Sequence, residues 1–208
     1  MKQSIRSILL FLCFSFITFS WNTLLCFDLD SALQETTQLL QNQESENDTI
    51  IEKLHQKGIT IFTTRNSFMP DNQIRRDEAA KMLTITKQIL KNRYSLPWEN
   101  QTCEFNDLHE AWEDLKDIIK TSCSEGLFHG HQGNFMPQKS ITNGELLTVI
   151  GRILYGTLDE NTEHFAKNYA ENLNNENLLK DTNLMDNTKR DSPATRWTLA
   201  IVIGNILN

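Results

Sequence analysis

Two arginines stand where a helix is about to begin, and that position limits what they can do. Arg76 follows Ile74-Arg75 and precedes Asp77-Glu78, while Arg196 follows Ala194-Thr195 and precedes Trp197. A cation in the first turn of a helix is opposed by the positive end of the helix dipole, so it gains most when an anion sits beside it. Amides exposed at the same helix start attract that anion as well. A guanidinium presents a planar fork that holds a carboxylate through two parallel bonds. Two readings follow: each arginine holds the carboxylate of an external ligand, or it pairs with an Asp or Glu of its own chain. A third helix start of the same kind carries Asn143 in the arginine's place and is expected to hold a carboxylate poorly.

The residues around these positions have simpler roles. Thr142 and Glu145 have the Thr-x-x-Glu spacing of a capping box, in which each side chain satisfies a backbone N–H left open at the helix start. Glu78 and Thr195 read the same way, as capping residues rather than ligand contacts. His129-Gly130-His131 near Cys123 suggests zinc, but the spacing matches no familiar site, and histidines one residue apart face awkwardly around a tetrahedral ion, so no metal is expected. No serine elbow, paired catalytic carboxylates or Gly-rich phosphate loop stands out, and neither enzymatic activity nor a cofactor is expected.

The elements that position these residues recur along the chain. Phe68-Met69-Pro70 leads to Ile74-Arg75-Arg76-Asp77-Glu78, Phe135-Met136-Pro137 leads to Ile141-Thr142-Asn143-Gly144-Glu145, and Ser192-Pro193-Ala194-Thr195-Arg196-Trp197 opens a third segment. Aligning Arg76, Asn143 and Arg196 puts Ala80, Leu147 and Ala200 in register, then Met82, Val149 and Val202, Leu83, Ile150 and Ile203, and Thr86, Ile153 and Ile206. Each set lies on one apolar helix stripe, and three such stripes can bury one another. Upstream of each lead-in a second helix is expected: Thr49 to Lys57 stopped by Gly58, Leu108 to Cys123 stopped by Gly126, and Phe165 to Leu173 ended by Asn174-Asn175. Trp112, at helical spacing from Leu115 and Ile119, is expected in the core. Phe68 and Phe135 are expected to be buried under their own turns.

The ends and the composition set the context. Lys2 and Arg6 precede the apolar run from Ile8 to Phe19, the pattern of an export leader, with cleavage after Ser20 or after Cys26. Left uncleaved, the segment would anchor the chain to a membrane. Cys103 and Cys123 are the pair that remains beyond the leader, and in an exported chain they are expected to form a disulfide. The formal net charge of −7 becomes −9 without Lys2 and Arg6, which excludes nucleic acid as a partner because its phosphates would be repelled.

Glycine, an extended loop to Phe-x-Pro, then Ile-Thr-Arg-x-Glu opening a helix resembles the surface-layer-homology (SLH) repeat. Here the elements are Gly58-Ile59, Phe68-Met69-Pro70 and Ile74 to Glu78 in the first copy. The second adds Phe105-Asn106-Asp107, Trp112, Ile118 and Gly126-Leu127-Phe128-His129-Gly130, and the third keeps Thr195-Arg196 and the helix. The resemblance implies an all-α fold of three tandem helix-loop-helix repeats, in a pseudo-threefold arrangement around a central helix bundle. The expected divisions are a leader at 1–26, a polar linker or partial helix at 27–47, and repeats at 48–96, 97–158 and 159–208. It further implies a non-catalytic module at the cell surface that binds secondary cell-wall polysaccharide, often pyruvylated, in grooves between repeats. Arg76 and Arg196 would then meet the ketal carboxylate, and Trp197 would stack on a sugar face. With no effector domain following the repeats in this sequence, the cargo is expected to be a partner protein, the signal anchor if it is uncleaved, or nothing. The alternative is an envelope protein-interaction scaffold of the same fold that has lost glycan binding, as Asn143 and the degenerate third loop suggest.

Overall fold

The computed structural model describes the backbone of residues 22–91 and 102–208, and the side chains of these residues except 22–30 and 42–47. Of the leader expected at 1–26, residues 1–21 lie outside the described residues. Among the described residues the chain is all-α, with helices, short 3₁₀ turns and isolated backbone bridges but no strand. Its α-helices are α1 Asn22–Gln56, α2 Arg65–Phe68, α3 Arg76–Leu90, α4 Lys116–Ser124, α5 Asn143–Tyr155, α6 Lys167–Asn175 and α7 Arg196–Ile206. The chain divides into two compact units, 1–47 and 48–208.

Helix α1 runs without a break through the stretch expected to be a linker or partial helix. It contains neither Gly nor Pro and is rich in Leu, Gln and Glu, so no residue interrupts the helical backbone. The side chains of residues 31–41 are exposed. No helix among the described residues is long and apolar enough to cross a membrane.

In the second unit, three helices stop in the same way. Ile59 N donates to Leu54 O at 2.9 Å and Gly58 N to His55 O at 2.8 Å; Leu127 N donates to Ser122 O and Gly126 N to Cys123 O at the same two distances. Leu178 N to Leu173 O and Asn177 N to Asn174 O repeat the pair. These are Schellman closures, which need a left-handed residue, and Gly58, Gly126 and Asn177 supply it with φ of 71°, 72° and 59°. The third stop therefore falls at Asn177, beyond the expected Asn174-Asn175.

Helices α3, α5 and α7 carry the core stripe. Ala80, Leu83, Thr86, Leu147, Ile150, Ala200, Val202 and Ile203 are all fully buried, and Met82, Val149, Ile153 and Ile206 nearly so. Their packing partners come from the neighbouring segment: α3 packs on α4 and α5 on α6. Gly204 of α7 faces Ile50 at the end of α1, and Lys53 Nζ bonds Asn208 Oδ1. Each stripe helix thus packs on the leading helix of another segment rather than on its own. Helices α5 and α6 approach so closely that a Cβ on Gly151 would lie 2.2 Å from Tyr169 Cδ1.

The helix expected from Leu108 to Cys123 is shorter than its spacing suggests. Two 3₁₀ turns, Leu108–Glu110 and Glu113–Leu115, precede α4. Trp112 lies between them in extended conformation (φ −61°, ψ 144°), which turns its ring off the face shared by Leu115 and Ile119. Instead of entering the core it is 56% exposed. Cys103 and Cys123 form a disulfide with a Cα–Cα distance of 6.0 Å, tying the start of this segment to the end of α4.

Candidate functional site

The three stripe helices begin around a closed ring of backbone hydrogen bonds. Ile74 N donates to Ala194 O (3.0 Å), Ala194 N to Ile141 O (2.8 Å) and Ile141 N to Ile74 O (3.1 Å). The first amide of each helix crosses to the loop of another segment: Arg76 N to Lys139 O, Asn143 N to Ser192 O and Arg196 N to Asn72 O, each 2.9 Å. The second amides follow, Asp77 N to Pro137 O, Gly144 N to Arg190 O and Trp197 N to Pro70 O. The first amides of a helix have no partner within it. Here the neighbouring loop's carbonyls take them, and each helix start becomes a junction between two segments.

Arg76 and Arg196 sit at two of these junctions, and both are already engaged. Arg76 is 6% exposed; its Nε donates to Phe135 O and its terminal nitrogen to Glu145 Oε1, each at 2.9 Å, with the guanidinium over the Phe128 and Phe135 rings. Arg196 donates to Phe68 O at 3.0 Å, pairs with Glu78 Oε1, and lies over Phe62. Of the two readings open in the sequence, the geometry is that of arginines paired within their own chain. Glu145 and Glu78 divide their oxygens: one meets the arginine across the junction, and the other caps its own helix by accepting from Thr142 N (3.0 Å) or Arg75 N (3.3 Å). Thr142 caps α5 by accepting from Glu145 N, and Thr195 caps α7 by accepting from Thr198 N.

The remaining junction lacks the arginine–glutamate pair, with Asn143 and Thr198 in their places. Asn143 Nδ2 donates to Lys189 O at 2.9 Å, a carbonyl of the same loop one residue further along than those that Arg76 and Arg196 reach at Phe135 and Phe68. Thr198 stands at the place of Glu78 and Glu145, three residues after the capping position. Removing one member of a buried pair leaves an uncompensated charge, whereas replacing both need not destabilise. Arginine and glutamate are lost here together, as that rule requires.

The aromatic candidates exchange places. Trp197 is half-buried and packs against the core, with the Arg65 guanidinium 5.7 Å from its ring centre. Trp112 is the exposed ring, with Arg75 stacked over it at 4.9 Å. Arg75 itself is held by two bonds to Asp77, whose side chain is fully buried. Burial pushes the Asp77 carboxyl above its ordinary value, and Arg75 opposes that shift. Trp112 and Arg75 come from segments far apart in sequence, so spacing could not pair them. Cys123 is consumed by its disulfide, and His129 and His131 are exposed.

The chain matches no established protein-family model. It is similar to a cellulosome-anchoring protein of Acetivibrio thermocellus, 34% identical over 123 residues, which cover 51% of this chain and 26% of that protein. It is also similar to an endoglucanase of a Bacillus species, 27% identical over 106 residues, covering 50% of this chain and 11% of the endoglucanase. The matched stretches are therefore about a quarter and about a ninth of those relatives' lengths.

Proposed function

We propose that this chain is an exported, non-catalytic anchoring module of the cell envelope. In this reading residues 48–96, 97–158 and 159–208 are diverged SLH-like repeats behind a leader at 1–26, and they bind secondary cell-wall polysaccharide non-covalently at their junctions. The observation that carries the reading is the closed ring in which three corresponding helix starts each bond to another segment's loop. The relatives add support: a stretch common to an anchoring protein and an endoglucanase, and a small part of each, suits an attached module better than a catalytic core. Trp112 with Arg75 offers an exposed face for a sugar ring beside a cation. Arg76 and Arg196 reach a ligand carboxylate, such as a pyruvate ketal, by exchanging it for Glu145 or Glu78.

Co-sedimentation with purified sacculi tests this. Wild-type protein is expected in the pellet, and Trp112→Ala, which alters an exposed ring, is expected to shift it to the supernatant. Wild-type protein remaining in the supernatant removes the glycan reading. A second reading, an envelope protein-interaction scaffold, is favoured by the internal pairing of both arginines and by the Asn143 junction, which lacks the arginine–glutamate pair. It predicts retention only by sacculi that keep their bound proteins.

A further inference from the structure

Helix α1 offers an apolar face that its own unit does not cover. All side chains of residues 31–41 are exposed, although a helix draws most of its stability from packing one face rather than from propensity. Leu33 is 46% exposed, Leu39 61% and Leu40 63%. With Ala32 and Thr36 they fall on one side of the helix, at spacings of three, four and seven residues. Gln34, Glu35, Gln38 and Gln41 take the other side. Thr36, in the middle of the apolar face, already commits its hydroxyl to its own helix by donating to Ala32 O at 2.6 Å, so covering it strands no polar group.

The sequence of this face is a seven-residue repeat. Leu33, Leu40 and Asn47 stand seven apart, and Leu29, Thr36 and Gln43 each precede one of them by four. That alternation is the seam of a coiled coil, and an asparagine in the series of Leu33 and Leu40 is the residue that selects two strands in one register. In a parallel pair a flanking residue of one strand meets the residue five positions on in the other. Leu25, Ala32 and Leu39 thereby face Asp30, Thr37 and Glu44 of the second copy, and no acid meets an acid. The seam ends at Asn47, before Ile51 and Leu54 enter the core of the second unit. An anionic lipid surface suits the face less well, because residues 22–52 contain acids and no Lys or Arg to meet head groups.

We propose that residues 25–47 of α1 form a parallel, two-stranded coiled coil with the same segment of a second copy of this chain, covering Leu33, Leu39 and Leu40. Identical strands in one register make the face self-complementary about a two-fold axis, so no foreign partner is needed. Each dimer carries two 48–208 units, and a polymer with repeated sites is then held at two points instead of one. The pairing is independent of what that unit binds.

Sedimentation equilibrium of the full chain in density-matched detergent tests this. Wild type is expected to dimerise reversibly, and Leu33→Glu with Leu40→Glu to raise the dimer Kd by roughly a hundredfold, because the seam would have to bury charge. Gln34→Glu with Gln41→Glu adds the same charge to the opposite face and is expected to leave the Kd within about threefold of wild type. If the first variant loses helix α1, Leu33→Ala with Leu40→Ala keeps helix-forming residues and is expected to weaken the dimer by roughly tenfold. For the orientation, Cys13 and Cys26 are changed to Ser, and Thr36→Cys and Gln43→Cys are oxidised in separate chains. Both are expected to link two copies, since an antiparallel pair brings at most one seam position against itself. A wild-type chain that stays monomeric up to about 100 μM overturns the proposal. A dimer left intact by Leu33→Glu with Leu40→Glu overturns it too, because the contact then lies elsewhere, and linkage at only one of the two cysteines overturns the parallel register.

Discussion

Changing Arg76 to Asn and Glu145 to Thr copies into one junction the residues that the Asn143 junction already uses. Arg76→Asn alone leaves Glu145 facing a mostly buried wall, although its side chain is 28% exposed and keeps its bond to Thr142 N. A fully buried pair broken on one side costs about 3–5 kcal/mol, and that partial exposure reduces the expectation to about 2–3 kcal/mol. Part of the lost Arg76 bond to Phe135 O is recovered by an asparagine bond to a carbonyl of the same loop, as Asn143 bonds Lys189 O. Adding Glu145→Thr then removes the stranded carboxylate and lets two threonines meet as Thr195 and Thr198 do at 2.9 Å. The double variant is expected to be more stable than the sum of the singles by about 1–2 kcal/mol. Urea unfolding followed by helical circular dichroism, with the slope m unchanged, measures all four corners of the cycle. Additivity within about 0.5 kcal/mol would refute the claim that the junction holds its charges as a unit.

Gly151→Ala places a methyl 2.2 Å from Tyr169 Cδ1 and is expected to destabilise by about 1–3 kcal/mol in the same assay. Reducing the Cys103–Cys123 bond is expected to cost about 3 kcal/mol, read as a lower urea midpoint; an unchanged midpoint counts against a constraining role. Burial holds the Lys87 ammonium below its ordinary pKa of 10.5, with Glu125 opposing. The unfolded chain therefore binds more protons than the folded one just below pH 10.5, so this group's contribution to stability rises with pH there. Lys87→Met is expected to flatten that rise, and an unaltered profile shows the ammonium to be unshifted.

Gly58 and Gly126 mark helix ends in both sequence and structure because a left-handed closing residue is a local requirement. The stripe from Ala80 to Thr86 and its counterparts on α5 and α7 are legible for a similar reason, since helical periodicity alone sets which face is apolar. Trp112 was misplaced because the same periodicity was extended across a stretch that breaks into 3₁₀ turns, and nothing in Leu108–Leu115 signals that break. Arg190 stands six residues before Arg196, as Pro70 and Pro137 stand six before Arg76 and Asn143, so its place was legible in the sequence, whereas its buried Nε without an acceptor was not.

The starts and caps of α3, α5 and α7, the glycine-marked stops and the buried stripe were thus determined by the sequence itself, through forces that act between residues a few positions apart. The partners of Arg76 and Arg196, the exposure of Trp112 and the isolation of Arg190 were decided only by tertiary structure. Arg76 meets a carboxylate 69 residues away, and Arg196 one 118 residues away. Whether a guanidinium meets a carboxylate or none depends on which segments the core brings side by side, because Coulomb attraction and desolvation act through space and not along the chain.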